Sequence, residues 1–308
     1  MPAWNKREFT ENGVTEYPPG PGLSRLQPKT SHDAGAFRKS PSGSPSSIYS
    51  RWAGTNQIAA SRRDQHGNAE GSQYDLIDDG ALTGASILVL NQCHIDLSRP
   101  SGALARKGFT LIEARASDAA SLRQQLKDAS QLWIISTSVP CLRSDALRVI
   151  EGFFHAGHGL YIWGDNAPLF ADANVLLKRL FSTCMSGNFP GDRVVSVRDH
   201  GKQAGLVPGH LITTGLVNVF EGSSIAEVHT TKALTPLIYG SNGRVVTSVY
   251  DQNGERAIVD GGFTRLFCGW ESAGTDRYIV NAAAWLLNIE RFTDRPFRAI
   301  STNPMGGL

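Results

Sequence analysis

Residues 159–168 read GLYIWGDNAP. Four side chains that favour burial, Leu160 to Trp163, run into Gly164 and then straight into Asp165 and Asn166. A short continuous apolar run of this kind predicts a strand covered on both faces. The stretch APLFADANVLLKRLF (167–181) behind it predicts a helix, with Pro168 in the first turn, where a missing N–H costs nothing. In some α/β folds such a strand–turn–helix corner carries a nucleophile.

The same unit repeats upstream. SILVLNQ (86–92), GFTLIEARA (108–116) and QLWIISTS (131–138) read as strands. SDAASLRQQLKDA (117–129) reads as a helix capped by Ser117 or Asp118. RSDALRVIEGFFHAGHG (143–159) reads as another, capped near Ser144 and closed by Gly157 or Gly159. Apolar strands separated by helices predict a parallel sheet wrapped on both sides. The C-terminal half differs. DRVVSVRDH (192–200), SSIAEVHTT (223–231), residues 235–262 and FTRLFCGW (263–270) read as strands. Asn-Gly in SNGR (241–244) and QNGE (252–255) signals tight hairpins, so an antiparallel extension is expected here. GTDRYIVNAAAWLLNIERF (274–292) closes the pattern as a long helix.

Residues 1–80 have no apolar periodicity and are rich in Pro, Gly, Ser and charge, so disorder is expected there. Scattered aromatics (Trp4, Phe9, Tyr17, Phe37, Tyr49, Trp52) could anchor this arm on a protein partner. The folded domain is expected over 81–295, with a flexible tail over 296–308. The formal charge of +2 on 308 residues disfavours a nucleic-acid or anionic-membrane binder. No stretch approaches the roughly 20 apolar residues of a membrane span. The first residues lack the apolar core of a signal peptide, so a cytoplasmic protein is expected. Cys93, Cys141, Cys184 and Cys268 form no CxxC pair and read as reduced, partly buried thiols. No cofactor and no metal site are expected; HAGH (155–158) spaces two imidazoles without a third ligand.

In an open parallel sheet, ligands sit beyond the carboxyl ends of the strands. Three polar clusters fall there: Asn91, Gln92, Cys93, His94 and Asp96; Ser136, Thr137 and Ser138; Gly164, Asp165 and Asn166. They are expected to converge on one rim as a ligand-binding site. Asp165 or Asn166 reads as the cap of the helix over 167–181; Asp165 reads alternatively as a ligand- or metal-binding carboxylate or a catalytic one. Ser, Thr or Cys, the usual acyl-transfer nucleophiles, are absent from the corner. In DGGFTRLFCGWESAGTDRY (260–278), Arg265, Trp270 and Glu271 either face Asp165 across a cleft or belong to a turn and helix entry.

The series SILVLNQ, QLWIISTS and FFHAGHGLYIWGDN resembles the class I glutamine-amidotransferase-like superfamily, closest to its ThuA-like, non-glutaminase branches. GHLITTGL (209–216) is similar to a segment preceding a strand in ThuA-like domains, and NAAAWLLN (281–288) to their terminal helix. The resemblance covers roughly 85–292 and implies a flavodoxin-like, three-layer α/β fold. Active glutaminases carry Gly-x-Cys-x-Gly at the corner and a downstream His-x-Glu. Here the corner is Gly164-Asp165-Asn166, and neither His210 nor His229 is followed two residues later by Glu. Three functions stay open: a non-catalytic domain binding a protein partner or small ligand at the rim; a hydrolase or carbohydrate-related enzyme using Asp165 with His94 or His210; and a self-assembling structural subunit.

Overall fold

A computed structural model describes residues 62–114, 118–198, 204–271 and 273–288. The expectations for the arm over 1–61 and the tail over 296–308 lie outside these residues.

The parallel strands are β1 (Ser86–Asn91), β2 (Thr110–Ala114), β3 (Gln131–Ile135) and β4 (Gly159–Trp163), alternating with helices α1 (Ser98–Lys107), α2 (Ala119–Leu126) and α3 (Ser144–His155). Helix α4 (Ala171–Phe181) follows β4. Short strands come next: β5 (Met185–Pro190), β6 (Val194–Ser196), β7 (Gly205–Leu206), β8 (Asn218–Phe220) and β9 (Ser224–Val228). Strands β10 (Thr235–Tyr239), β11 (Val245–Gln252) and β12 (Glu255–Asp260) and helix α5 (Thr275–Leu286) complete the chain. The eight-stranded sheet runs β2-β1-β3-β4-β12-β11-β10-β7. Strands β2 to β12 in that order are parallel, and β11, β10 and β7 extend them antiparallel. β5 pairs with β9, and β6 with β8, as separate two-stranded ribbons.

Alternation along each strand builds two cores. Ile87, Val89, Trp133, Ile135, Tyr161, Trp163 and Ile258 pack under α1 and α5. Leu88, Leu90, Leu132, Ile134, Leu160, Ile162, Ala257 and Val259 pack under α2, α3 and α4. The expected α/β sandwich with an antiparallel extension is therefore the observed one. Gly159 lets β4 start against the end of α5: a Cβ there would lie 2.3 Å from the Leu286 carbonyl oxygen. In the second hairpin, Asn253 and Gly254 take φ of 55° and 73°, the left-handed pair that a tight two-residue turn demands.

Four local expectations need correction. Residues 62–80, assigned above to the disordered arm, are packed: Leu76 and Ile77 are fully buried. A charged clamp holds them. Arg277 Nε donates to Asp75 Oδ1 (2.6 Å), its Nη1 to the Ala69 and Gly215 carbonyls, and its Nη2 to the Gly71 carbonyl. The helix after β4 starts at Ala171, not 167; Pro168 lies in the preceding turn. Residues 263–270 form no strand, and Phe263–Leu266 is a single 3-10 turn. Finally, α1 and β5 form where the sequence shows no apolar pattern, which Pro100 with Gly102, and Gly187 with Pro190, break in each.

Candidate functional site

The carboxyl edge of the sheet gathers the ends of β1, β3, β4 and β12, as the strand order requires. At its centre is the corner after β4. Gly164 donates its N–H to the Asp260 carbonyl (2.8 Å) and accepts from Phe263 N (3.0 Å), which ties β4 to the turn after β12. A Cβ on Gly164 would lie 2.5 Å from Met185 Sδ and 2.9 Å from Phe170 Cβ, so the glycine is what lets the chain pass.

Asp165 is fully buried. Its Oδ1 accepts from Ser224 Oγ (2.5 Å) and Asn166 N (2.8 Å), and its Oδ2 from Thr264 N (3.1 Å). Burial pushes the carboxyl up to about 6, against the opposing pull of the Ser224, Asn166 and Thr264 hydrogen bonds. Asp165 does not cap α4, whose N-cap residue is Phe170 with no side-chain hydrogen bond. It instead stitches the corner to β9 and to the 263–266 turn. Asn166 reaches outward, its Nδ2 donating to Asn188 Oδ1 on β5 (2.7 Å), while its own Oδ1 is buried without a partner.

The neighbouring rim residues are also engaged by their own chain. Ser136 Oγ accepts from Ala173 N (3.0 Å), and the Thr137 carbonyl accepts from Ala171 N (3.0 Å), so both satisfy open N–H groups at the start of α4. Asp172 Oδ1 accepts from the N–H groups of Cys141 (2.7 Å) and Leu142 (2.9 Å), holding the loop after β3. Asn91 closes the loop after β1, donating to the Ile95 carbonyl and Glu113 Oε2 and accepting from Ile95 N. Gln92 and Ser138 are partly exposed on the same edge, and Val139 beside Ser138 is 64% exposed.

Two thiols flank the corner, one of which, Cys268, had not been assigned to the rim. Cys93 sits beside the Thr137 hydroxyl, and burial pushes its thiol up to about 11 despite that hydrogen bond. Burial likewise raises Cys268, against a hydrogen bond from Ser223, and the charge of Asp165 acts on both thiols in the same direction. Raised thiols are neutral and poor nucleophiles near pH 7. The signals for Ser224 and Thr264, the other partners of Asp165, lie about 60 and 100 residues downstream (224 − 165 and 264 − 165), and no local pattern links them to the corner.

The imidazoles considered as acid or base partners are placed elsewhere. His94 is exposed, in a left-handed turn (φ 53°) after β1. His210 Nδ1 accepts from Ile212 N (3.2 Å), and its ring meets Trp285 edge-on at 5.1 Å. Trp285 lies in the last turn of α5 beside Arg256, at the start of β12, so His210 belongs to the amino edge of the sheet, opposite Asp165. Burial lowers its pKa to about 4, and Arg256 adds to that. Arg265 does not face Asp165 either. It is fully buried, with Nη2 3.2 Å from Asp260 Oδ1 and 2.7 Å from the Glu221 carbonyl. Tyr278 OH donates to Asp260 Oδ2 (2.9 Å), which Tyr161 OH also approaches at 3.3 Å. Glu271 pairs with Arg99 at the surface, and Trp270 is buried. On the β5–β9 ribbon, His229 Nε2 lies 2.6 Å from Ser186 Oγ and its Nδ1 3.8 Å from Cys184 Sγ. In the HAGH segment, His155 pairs with Glu255 and His158 stacks on Phe153. Among the described residues no three His, Cys, Asp or Glu side chains gather as a metal-ligand group, and no helix is long and apolar enough to cross a membrane.

No protein-family model and no curated protein sequence matches the chain. Similar solved structures include a ThuA-like protein from Bacteroides uniformis (15% identity, 66% of this chain and 91% of that one, TM-score 0.43). A GMP synthase component from Thermoplasma acidophilum is 12% identical over 69% of this chain and 98% of that one, with a TM-score of 0.46. A glutamine amidotransferase from Thermotoga maritima is 11% identical over 68% and 99%, with a TM-score of 0.38. Both kinds of protein that the sequence resembles are thus among its structural neighbours.

Proposed function

We propose that this chain is a non-catalytic amidotransferase-like domain that binds a protein partner at the carboxyl rim of its sheet. One observation carries the reading: the corner carboxylate, Asp165, is sealed from solvent and held by Ser224, Asn166 and Thr264. A group so held is out of a substrate's reach, and among the described residues no imidazole is placed beside it to exchange a proton with. The partly buried thiols beside it are neutral. What the rim presents outward is Val139, one of two large apolar side chains exposed among the described residues, with Pro140 and Cys141 beside it. An exposed apolar side chain on a loop pinned by Asp172 suits a rigid contact surface better than a reaction centre.

The test places a photo-crosslinking amino acid at Pro140 of the full chain in its native cells, with and without Val139→Asp. A discrete adduct that Val139→Asp removes, with the melting temperature unchanged, supports the reading. No adduct, or one indifferent to residue 139, overturns it. Ammonia release from glutamine by the purified chain would also overturn it.

A further inference from the structure

Far from the rim, helices α2 and α3 leave a cleft of about 320 Å³ between them, lined by Arg123, Leu126, Lys127, Arg148, Val149, Gly152 and Phe153. Its floor is apolar: Leu126 and Phe153 are buried, and Val149 is partly so. Its walls are cationic. Arg123 and Lys127 stand one turn apart on and just beyond α2, and Arg148 faces them from α3. None of the three forms a salt bridge among the described residues. Lys127 Nζ donates to the neutral Gln124 Oε1 (2.8 Å), which leaves its charge uncompensated. The carboxylate that feels Arg148, Glu151, is held by Arg179 in a bidentate pair. Asp128 is the other nearby acid and is exposed. The negative ends of α2 and α3 both oppose an anion here, but they amount to about half a charge each against three full ones.

Gly152 is the second, independent observation. It lies inside α3, where glycine destabilises a helix relative to alanine. A Cβ there would meet no atom of the rest of the fold within 4 Å, so packing does not require the glycine. Its effect is to keep the cleft open.

We propose that this cleft binds a compact phosphate monoester carried on a flat apolar body. A phosphate monoester holds close to two negative charges at neutral pH and accepts forked hydrogen bonds from arginine. The apolar floor would take a ring. A volume at the low end of ligand pockets, roughly 300–1,000 Å³, limits that body to about one ring system.

The probe is phenyl phosphate, titrated calorimetrically into the full chain, with inorganic phosphate and octanoate as comparisons. Phenyl phosphate is expected to bind at least about tenfold more tightly than either. Arg148→Gln is expected to weaken it about tenfold. Gly152→Leu, a substitution that favours the helix, is expected to abolish it with the melting temperature maintained or raised. Absence of phenyl phosphate binding, equal binding of inorganic phosphate, tighter binding of octanoate, or indifference to Gly152→Leu would each overturn the proposal.

Discussion

Replacing Asp165 by Asn tests the account of the corner most directly. The side chain is fully buried and its carboxyl is pushed up to about 6, from an ordinary value of 3.8. The folded state therefore holds this proton more tightly than the unfolded state does. Stability from this group is fully present below pH 3.8 and is lost as pH rises through 6. Integrating the linkage between pH 5 and pH 8 gives a loss of about 1.4 kcal/mol in the wild type. The asparagine cannot titrate. It keeps an oxygen for Ser224 and Asn166 but sets an amide nitrogen against the Thr264 N–H, a pH-independent cost of roughly 1–3 kcal/mol. The Cys93 thiol, at about 11, stays neutral throughout the range and does not contribute. Urea unfolding of both proteins at pH 5, 6, 7 and 8 measures the difference directly. The variant should be less stable at pH 5, and its deficit should shrink by about 1.4 kcal/mol by pH 8. A deficit constant across the series, or one that grows with pH, would show that burial does not outweigh the three hydrogen bonds.

His210 gives a slope of the opposite sign. Its folded pKa of about 4 lies below the ordinary 6.5, so its stability contribution is present above pH 6.5 and is lost as pH falls. His210→Asn keeps an acceptor for Ile212 N and removes the titration; relative to wild type it should gain about 2 kcal/mol between pH 8 and pH 5 in the same unfolding series. Arg277→Met leaves Asp75 with Lys107 as its remaining ion-pair partner and strips donors from three carbonyls, at a cost of about 3–5 kcal/mol. Limited proteolysis should then cut within 62–80 before the sheet unfolds, and equal protection of that segment in both proteins would contradict the clamp.

The parallel half was legible because β1, β3 and β4 are buried on both faces and so carry unbroken apolar runs. The hairpin was legible because Asn253-Gly254 is a local signal. Helix α1 was not, since SRPSGALARK spends Pro100 and Gly102 inside the element and buries only Pro100, Ala103, Leu104 and Lys107. The packed stretch 62–80 escaped notice because its stability rests on a guanidinium about 200 residues away (277 − 75), which no window of sequence contains. The rim was anticipated in position but not in character. Ser136, Asp165 and Asn91 lie where strand ends should put them, and partners from their own chain occupy them, among them α4, β9 and the 263–266 turn. Arg265 illustrates the same limit: its type signals charge at a surface, and its burial is accounted for by partners the fold brings beside it, Asp260 on β12 and the Glu221 carbonyl.

The position of β12 between β4 and β11 also sets a schedule. β4 is complete at Trp163, but the strand that covers its open edge begins at Glu255. At about 5–20 residues per second, a ribosome needs roughly 5–20 s to make the intervening 91 residues (255 − 163 − 1). Through that interval the nascent chain carries an unpaired edge flanked by Leu160 and Ile162. The β11–β12 hairpin, closed by its own two-residue turn, can form within microseconds of emerging. A hairpin formed in that way has one edge to dock on, that of β4, and until a strand docks there the edge presents unpaired N–H and C=O groups.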